Sequence, residues 1–459
     1  MGPVPRSHRP PKQPYSGYHR TRIPAEDPEL THTGPGTPCG EYFRRFWHPV
    51  ALSSDLEDGL PQAVSVLGED LVVFRDLGGR IGVLHRHCSH RGASLEFGVV
   101  AGRGIRCCYH GWQFDIDGTV LDTPGEPATS KIKDHVCHGA YPAFEYKGLI
   151  FAYMGPPEAK PAFPIFDTYE APNSRTIPYS IWHPCNWLQV LENFMDPIHA
   201  VFLHTRVAGT QLTDAWGEMP EVEYRATDDG MLYVCTRRCG ENVWARSNHI
   251  LFPNFGQTAA LWEDGSEEKL FSRASITRWT VPIDDTHCLI LGWRYFNGEV
   301  DPKGRGAPDQ VGKDAVDFVG QTGNRSYRDR QRTPGDWDAQ VSQRPIAIHE
   351  LEHLASSDQG VAMLRRHLRR RVRALAQGEE LDGVNGSPDH PIASYTHDTV
   401  LRVPPPADGD DRSLLREIGR RVTDAILQAD GAPGPERDGR VKQRLKHLAS
   451  ELNGADANV

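Results

Sequence analysis

Cysteine is sparse and irregular in this chain, nine in 459 residues, with no even framework spacing. That excludes a disulfide-stapled secreted scaffold. No apolar run reaches transmembrane length, and the polar, proline-rich stretch Met1 to Arg22 lacks the order of a secretory signal, so the expectation is a cytoplasmic protein without an anchor. An excess of basic charge is missing too: the formal net charge is -10, which works against nonspecific nucleic-acid binding. No internal repeat is present. What these absences leave is a small-molecule enzyme or a redox protein, long enough for about two or three domains that each bury a full core.

What is there is a pair of short metal-ligand motifs. Cys88-x-His90 is followed, with sixteen residues between, by Cys107-x-x-His110. Two thiolates for one iron and two imidazoles for the other are the ligand set of a Rieske [2Fe-2S] cluster. A Cys2His2 zinc site is the competing reading, but zinc fingers group their histidines after their cysteines, whereas here each loop supplies one of each. The flanking sequence reads as a small antiparallel β unit: Leu71 to Phe74 and Ile81 to Leu84 bracket a Gly78-Gly79 turn, and Phe114-Asp115-Ile116 precedes an Asp117-Gly118 turn. Cys108 adjoins Cys107, and the two-residue spacing to His110 favours Cys107 as the ligand.

Composition divides the chain into four parts. Residues 1–47 read as a Pro- and Gly-rich arm, flexible to about residue 40 and followed by a first helix. Residues 48–155 hold the cluster unit, ending near Gly155-Pro156-Pro157. Residues 156–378 mix strand-like stretches such as Cys288 to Phe296 with helical ones, which predicts an α+β domain with helices covering an antiparallel sheet. Residues 379–459 read as a tail whose Leu415, Ile418, Val422 and Ile426 recur at helical spacing.

A second candidate metal site lies in Asn186 to His204, where His199 and His204 stand five residues apart and Asp196 precedes His199 by three. On a straight helix five residues separate side chains by about 140°, too divergent to share one ion. The helix must therefore distort, and Pro197 supplies a cause, with a kink or a π-type bulge expected. Two imidazoles and one carboxylate on one face of an iron leave positions open for O2 and substrate. A carboxylate at Asp196 can also accept the ring N-H of His199 and fix its tautomer. The plainer alternative for both histidines is core packing or helix capping.

Taken together, His87 to Ala93, Cys107 to Trp112 and Glu192 to His204 closely resemble the cluster loops and iron helix of Rieske non-haem iron ring-hydroxylating oxygenase α subunits. Thr31 to Pro38 and Arg44 to Leu52 are similar to the phthalate-dioxygenase-like branch. The resemblance runs from Glu29 to about Arg373. It implies a small all-β Rieske domain joined to the α+β catalytic domain, a [2Fe-2S] cluster on Cys88, His90, Cys107 and His110, and a mononuclear Fe(II) on His199 and His204. It also makes Asp358 the third iron ligand, where the sequence alone reads an N-cap or first-turn acid of the next helix; Asp329 and Glu352 are other carboxylates of suitable type.

The resemblance further implies that Asp196 bridges the two centres by contacting His110 of a neighbouring chain in a homotrimer or hexamer. Electrons would come from NAD(P)H through a flavin and iron-sulfur reductase, and O2 would be used on an aromatic or similar apolar substrate. Asn186, Met195, Ile250, Phe252 and Trp262 are candidate pocket residues, and Arg206 or Arg246 could receive a substrate carboxylate. The arginine run Arg365 to Arg373 reads as a solvated face, with a dock for an acidic electron donor as the sharper alternative. A Rieske electron carrier, in which His199, His204 and Asp358 are merely structural, is the rival from another class.

Overall fold

The structure is a computed structural model and describes residues 12, 14–16, 24–56, 58–169, 173–379, 391–407, 409–429 and 434–455. Most of the expected flexible arm, including nearly all of Met1 to Arg22, lies outside them. From residue 24 onward the expectation of flexibility fails. Leu30, Tyr42 and Phe43 are fully buried, and the carbonyls of Leu30 and Thr31 accept from Trp187 Nε1 and Asn186 Nδ2. Apolar anchors at these positions outweigh the surrounding Pro and Gly.

The cluster unit is all β, built from three small antiparallel sheets. Glu69–Arg75 and Ile81–His85 form a hairpin in which Arg75 faces Ile81, and Gly79 takes a left-handed φ of 84° at its turn. A second sheet, Val99–Val100, Ile105–Arg106, Gln113–Phe114 and Val120–Asp122, carries the second ligand loop. Gly118 closes its last turn at φ 86°, where a Cβ would lie 1.9 Å from the His138 carbonyl oxygen. Trp47–Leu52 pairs with Leu149–Tyr153, tying the two ends of the unit together.

Beyond it lies one nine-stranded antiparallel sheet. Its main path runs Arg175–His183, Cys288–Phe296, Ile276–Pro282, Phe255–Thr258, Asn242–Leu251, Gly230–Cys239, Glu221–Ala226. Side chains alternate across this sheet. One face carries Tyr233, Cys235, Arg237, Arg246, Asn248, Thr258, Ile276 and Arg278, all of which line a cavity. The opposite face carries Val243 and Ala245, packed with Leu415, Ile418, Val422 and Ile426 of helix Asp411–Leu427 and with Val441 and Leu445 of helix Gly434–Ala455. Each such aliphatic contributes roughly 1.5–3 kcal/mol on burial.

The expected boundary of the tail needs one correction. Strand His397–Arg402 belongs to the sheet, pairing with both Asn242–Leu251 and Lys269–Ser272. Its mixture of Asp, Thr and Arg hides the strand in the sequence, because buried Asp398 is paid for by Arg246 and by the backbone N-H of Ala260.

The arginine run is not merely a solvated face. On helix Gln359–Ala376, Arg365 is buried between Glu192 and Glu352, and Arg369 and Arg373 pair with Glu29. The helix thereby fastens both the N-terminal segment and the end of the helix that leads to His199.

Candidate active site

The two cluster loops repeat one geometry. In the first, Gly92 N-H donates to the Cys88 carbonyl and Cys88 N-H to the Ala93 carbonyl; in the second, Gly111 N-H donates to Cys107 and Cys107 N-H to Trp112. Gly92 and Gly111 hold left-handed φ values of 76° and 74° at equivalent places. Cys88 and Cys107 are buried together while Cys108 is exposed, so Cys107 is the thiol that the loops bring to Cys88. Burial pushes the Cys88 thiol up to about 11, with the neighbouring Cys107 adding to the shift, so a pair of thiolates there calls for compensating positive charge. The rings of His90 and His110 sit 4.6 Å apart, and His90 stacks on Trp112 at 4.8 Å. His90 Nδ1 is buried with no hydrogen-bond partner, an orphaned donor site that an iron ion would satisfy. These residues fit a [2Fe-2S] cluster.

The helical stretch bearing the other histidines is broken twice. Helix Trp187–Glu192 runs through a 3-10 turn to Asp196, which leaves helical geometry at φ -113° and ψ 85°. Pro197 then starts a new helix, Pro197–Val201, at the position where its missing N-H costs nothing. That helix passes into a π turn over Phe202–Arg206, closed by Val207 N-H to the Phe202 carbonyl. The wider turn swings His204 back toward His199, and their rings lie 5.4 Å apart.

Asp196 has a different contact from the one expected. Its Oδ1 accepts the backbone N-H groups of Ile198 and His199 as a helix cap, and it is the Asp196 carbonyl oxygen that meets His199 Nδ1. The tautomer is fixed all the same, and His199 Nε2 is turned away from that contact. For His204 the same service comes from Gln211, whose Oε1 is 3.0 Å from Nδ1 and whose Nε2 donates to the Pro334 carbonyl.

The carboxylate that completes the set is Asp336, which the sequence reading missed. His199 Nε2 is 3.3 Å from Asp336 Oδ1, and His204 Nε2 is 3.3 Å from Oδ2. One ligand atom from each of the three residues lies within 4.8 Å of the others. Burial opposes ionisation of Asp336, but the two histidines hold its carboxyl well below the usual range; His199 is raised in turn, Asp336 overcoming the effect of burial. Asn193 Nδ2 and Gln321 Nε2 also donate to this carboxylate. Asp336 opens helix Asp336–Val341 after Gly335, which lies against Gly320 so closely that a Cβ on Gly335 would be 2.3 Å from Gly320 Cα.

Asp358 is not part of this group. Its carboxylate accepts Ala355 N-H at 2.7 Å and so closes the 3-10 turn Ser356–Asp358 that leads into helix Gln359–Ala376, a local role at a helix start. Asp329 binds the Ser326 hydroxyl and Glu352 is held by Arg365, so neither fallback reaches the histidines. The nearest sequence signal for Asp336 was the Pro334-Gly335 break before an acid at a helix start.

A cavity adjoins the triad between the histidine helices and the sheet. Phe194, Leu212, Leu261, Ile276 and Phe318 give it apolar walls, and Arg237, Arg246 and Arg278 give it cations. Asn186, Met195, Ile250, Phe252 and Trp262 do not line it. Asn186 caps Trp187–Glu192, and Met195 and Ile250 are core. Arg206 is exposed. Arg246 pairs with Asp398, but no carboxylate lies within ion-pair distance of Arg237 or Arg278 among the described residues. Burial lowers the Arg278 pKa. Its guanidinium lies 4.0 Å over the Phe194 ring, worth about 0.5–2 kcal/mol, against a desolvation cost of several kcal/mol for an unpaired ion.

Comparison with known proteins gives a common answer. Residues 46–135 match the Rieske [2Fe-2S] domain and residues 183–283 the vanillate O-demethylase oxygenase C-terminal domain. The chain is 44% identical over 458 residues to the tert-butanol monooxygenase / tert-amyl alcohol desaturase oxygenase subunit of Aquincola tertiaricarbonis, covering 95% of this chain and 97% of that one. It is 38% identical to the phenoxybenzoate dioxygenase α subunit of Ectopseudomonas oleovorans, covering 78% and 88%. Its fold resembles dicamba monooxygenase bound to dicamba, with a TM-score of 0.56 at 21% identity over 73% of this chain and 98% of that one. These matches set aside both the zinc-finger reading and the simple electron carrier. The chain is an oxygenase subunit of the Rieske non-haem iron oxygenase family.

Proposed function

We propose that Cys88, His90, Cys107 and His110 hold the [2Fe-2S] cluster and that His199, His204 and Asp336, rather than Asp358, hold the mononuclear Fe(II). The observation that carries the second assignment is the convergence of three ligand atoms of a two-histidine, one-carboxylate set within 4.8 Å. Iron held this way supplies O2 activation at positions that the protein leaves open. The protein's part is positioning. Asp196 and Gln211 orient the two imidazoles, Asn193 and Gln321 orient the carboxylate, and the apolar walls keep water from the reacting face.

Electrons enter from NAD(P)H through a separate flavin and iron-sulfur reductase and leave the cluster through His110. His110 and Asp196 are both half-exposed, which suits a contact between His110 of one chain and Asp196 of the next in a homotrimer or a stacked hexamer. A cytoplasmic location fits the reductase supply, and no helix among the described residues is long and apolar enough to cross a membrane. The substrate has an apolar body, aromatic or similar, and is hydroxylated or oxidatively demethylated.

Iron and acid-labile sulfide per chain test this reading, on anaerobically purified protein supplied with Fe(II). About three irons to two sulfides, falling to about two irons in both His199→Ala and Asp336→Ala, is the expected result. Two irons to two sulfides in the parent protein would overturn it.

A further inference from the structure

Tyr233 and Asn248 face each other across neighbouring strands, and both line the cavity beside the triad. The Asn248 amide has only one orientation open to it. Ala259 N-H, which can only donate, meets its Oδ1 at 3.2 Å, so the other branch is the NH2 group. That Nδ2 donates to the Tyr233 hydroxyl oxygen at 2.7 Å. Tyr233 is thus an acceptor toward Asn248, and its own proton must point elsewhere. Among the described residues no acceptor stands within hydrogen-bond distance of that proton. Tyr233 is only 5% exposed, and burial pushes its pKa up against the pull of Arg246 and Arg237, which keeps the phenol a donor. A buried donor without a partner is uncommon in a finished fold, and this one borders a cavity.

The charges on the cavity wall are answered within the protein. Arg246 has Asp398 and the Ala260 carbonyl, and Arg237 has the Glu218 carbonyl and the rings of Trp216 and Trp244. Arg278 has Tyr179 as a hydrogen-bond partner and the Asp336 carboxylate as a nearby counter-charge. The space itself is small. The cavity encloses about 70 Å³, room for about five to seven water-sized groups. Leu212, Leu261, Ile276 and Phe318 make much of its remaining wall apolar.

We propose that Tyr233 is a substrate-positioning residue that donates its O-H to a neutral oxygen of the substrate, and that this substrate is a compact molecule of about five to seven non-hydrogen atoms bearing a hydroxyl or carbonyl group. Asn248 sets the direction of the donation. The proposal rests on the oxygenase reading of the cavity and narrows its substrate class. With the oxygen fixed at the sheet, the carbon presented to the triad is chosen by its distance from that oxygen.

Calorimetric titration and infrared spectroscopy of the full-length, cluster-loaded protein test it, with cyclohexanone and methylenecyclohexane as probes that share a shape and differ in one acceptor oxygen. Both are measured with the mononuclear iron removed and with it restored. Cyclohexanone binds up to about tenfold tighter in both states, the range of a single neutral hydrogen bond, and its carbonyl stretch moves to lower frequency on binding. Tyr233→Phe equalises the two affinities and abolishes the shift of the stretch, while methylenecyclohexane affinity and the cluster absorption spectrum stay as they were. Asn248→Asp has the same effect with the hydroxyl still present: its carboxylate keeps the Ala259 contact but turns the other branch into an acceptor that captures the Tyr233 proton. Benzophenone, with two rings, binds more weakly than cyclohexanone.

Equal affinity of the two probes for the parent protein, binding of neither, an unshifted stretch, or a preference that survives both variants would overturn the proposal. A preference seen only with iron restored would also overturn it, because the metal would then be the partner of the oxygen. Tighter binding of benzophenone would overturn the size assignment. Failure of the oxygenase reading is visible separately: an iron-to-sulfide ratio of 2:2 with the Tyr233-dependent preference intact would remove the iron and leave the binding site.

Discussion

In the Rieske unit each loop brings a Cys and a His together within four residues and closes on itself through one left-handed glycine, whereas the proposed iron site gathers two histidines from a twice-broken helix and a carboxylate from a distant helix start. A local site depends on the chain near it, so its geometry is written twice, almost identically, in Cys88 to Ala93 and Cys107 to Trp112. A gathered site depends on whatever docks its parts. Here that is Gln211, which spans His204 and the Pro334 carbonyl, together with the bare contact of Gly320 with Gly335. The first site should fail ligand by ligand. The second should also fail through residues that never touch a metal.

The sharpest break of this contrast is a pair of ligand changes. Cys107→Ser should remove the visible cluster spectrum, whereas Cys108→Ser should keep it; Asp336→Ala should keep the cluster, lose the mononuclear iron and abolish product formation. Retention of the third iron by Asp336→Ala would return the search to other carboxylates. Next comes Asp196→Asn, which can still cap Ile198 and His199 with its amide oxygen. Both metal sites should stay largely filled while coupled turnover is lost, as measured by product formed per NAD(P)H oxidised; normal coupling would sink the bridging role.

Smaller is Gln211→Leu, which frees the His204 ring and its link to the Asp336 loop. Iron affinity should fall about 10–100-fold, as for other supporting hydrogen bonds of metal ligands, with the cluster content unchanged. Unaltered affinity would mean that packing alone orients the ring. The smallest effect belongs to Asp358→Ala, the residue first expected as a ligand. Loss of one cap costs about 1 kcal/mol, so the melting temperature should drop by a few degrees at most and iron content should hold.

The local site was legible because its ligands and its turns are adjacent in sequence, and Gly92 and Gly111 stand at fixed offsets from the cysteines. The histidine pair was legible for a different reason: a five-residue spacing cannot face one ion on a straight helix, so a break and a wider turn had to exist between Asp196 and Arg206. Asp336 was not, since Asp358 and Asp336 are both acids at a helix start and nothing in a linear pattern says which helix start lies beside His199. That choice is made by the close approach of Gly320 and Gly335. The segment from residue 24 to Phe43 was misread because its prolines and glycines outnumber the few apolar anchors that fix it.

That segment has a practical side. The carbonyls of Leu30 and Thr31 hold Trp187 and Asn186, and Glu29 holds Arg369 and Arg373, so the same short stretch grips both ends of the scaffold around the iron helix. A protease cut within it would act as an active-site lesion, and a preparation clipped at Thr31 would purify with its cluster colour and without its activity.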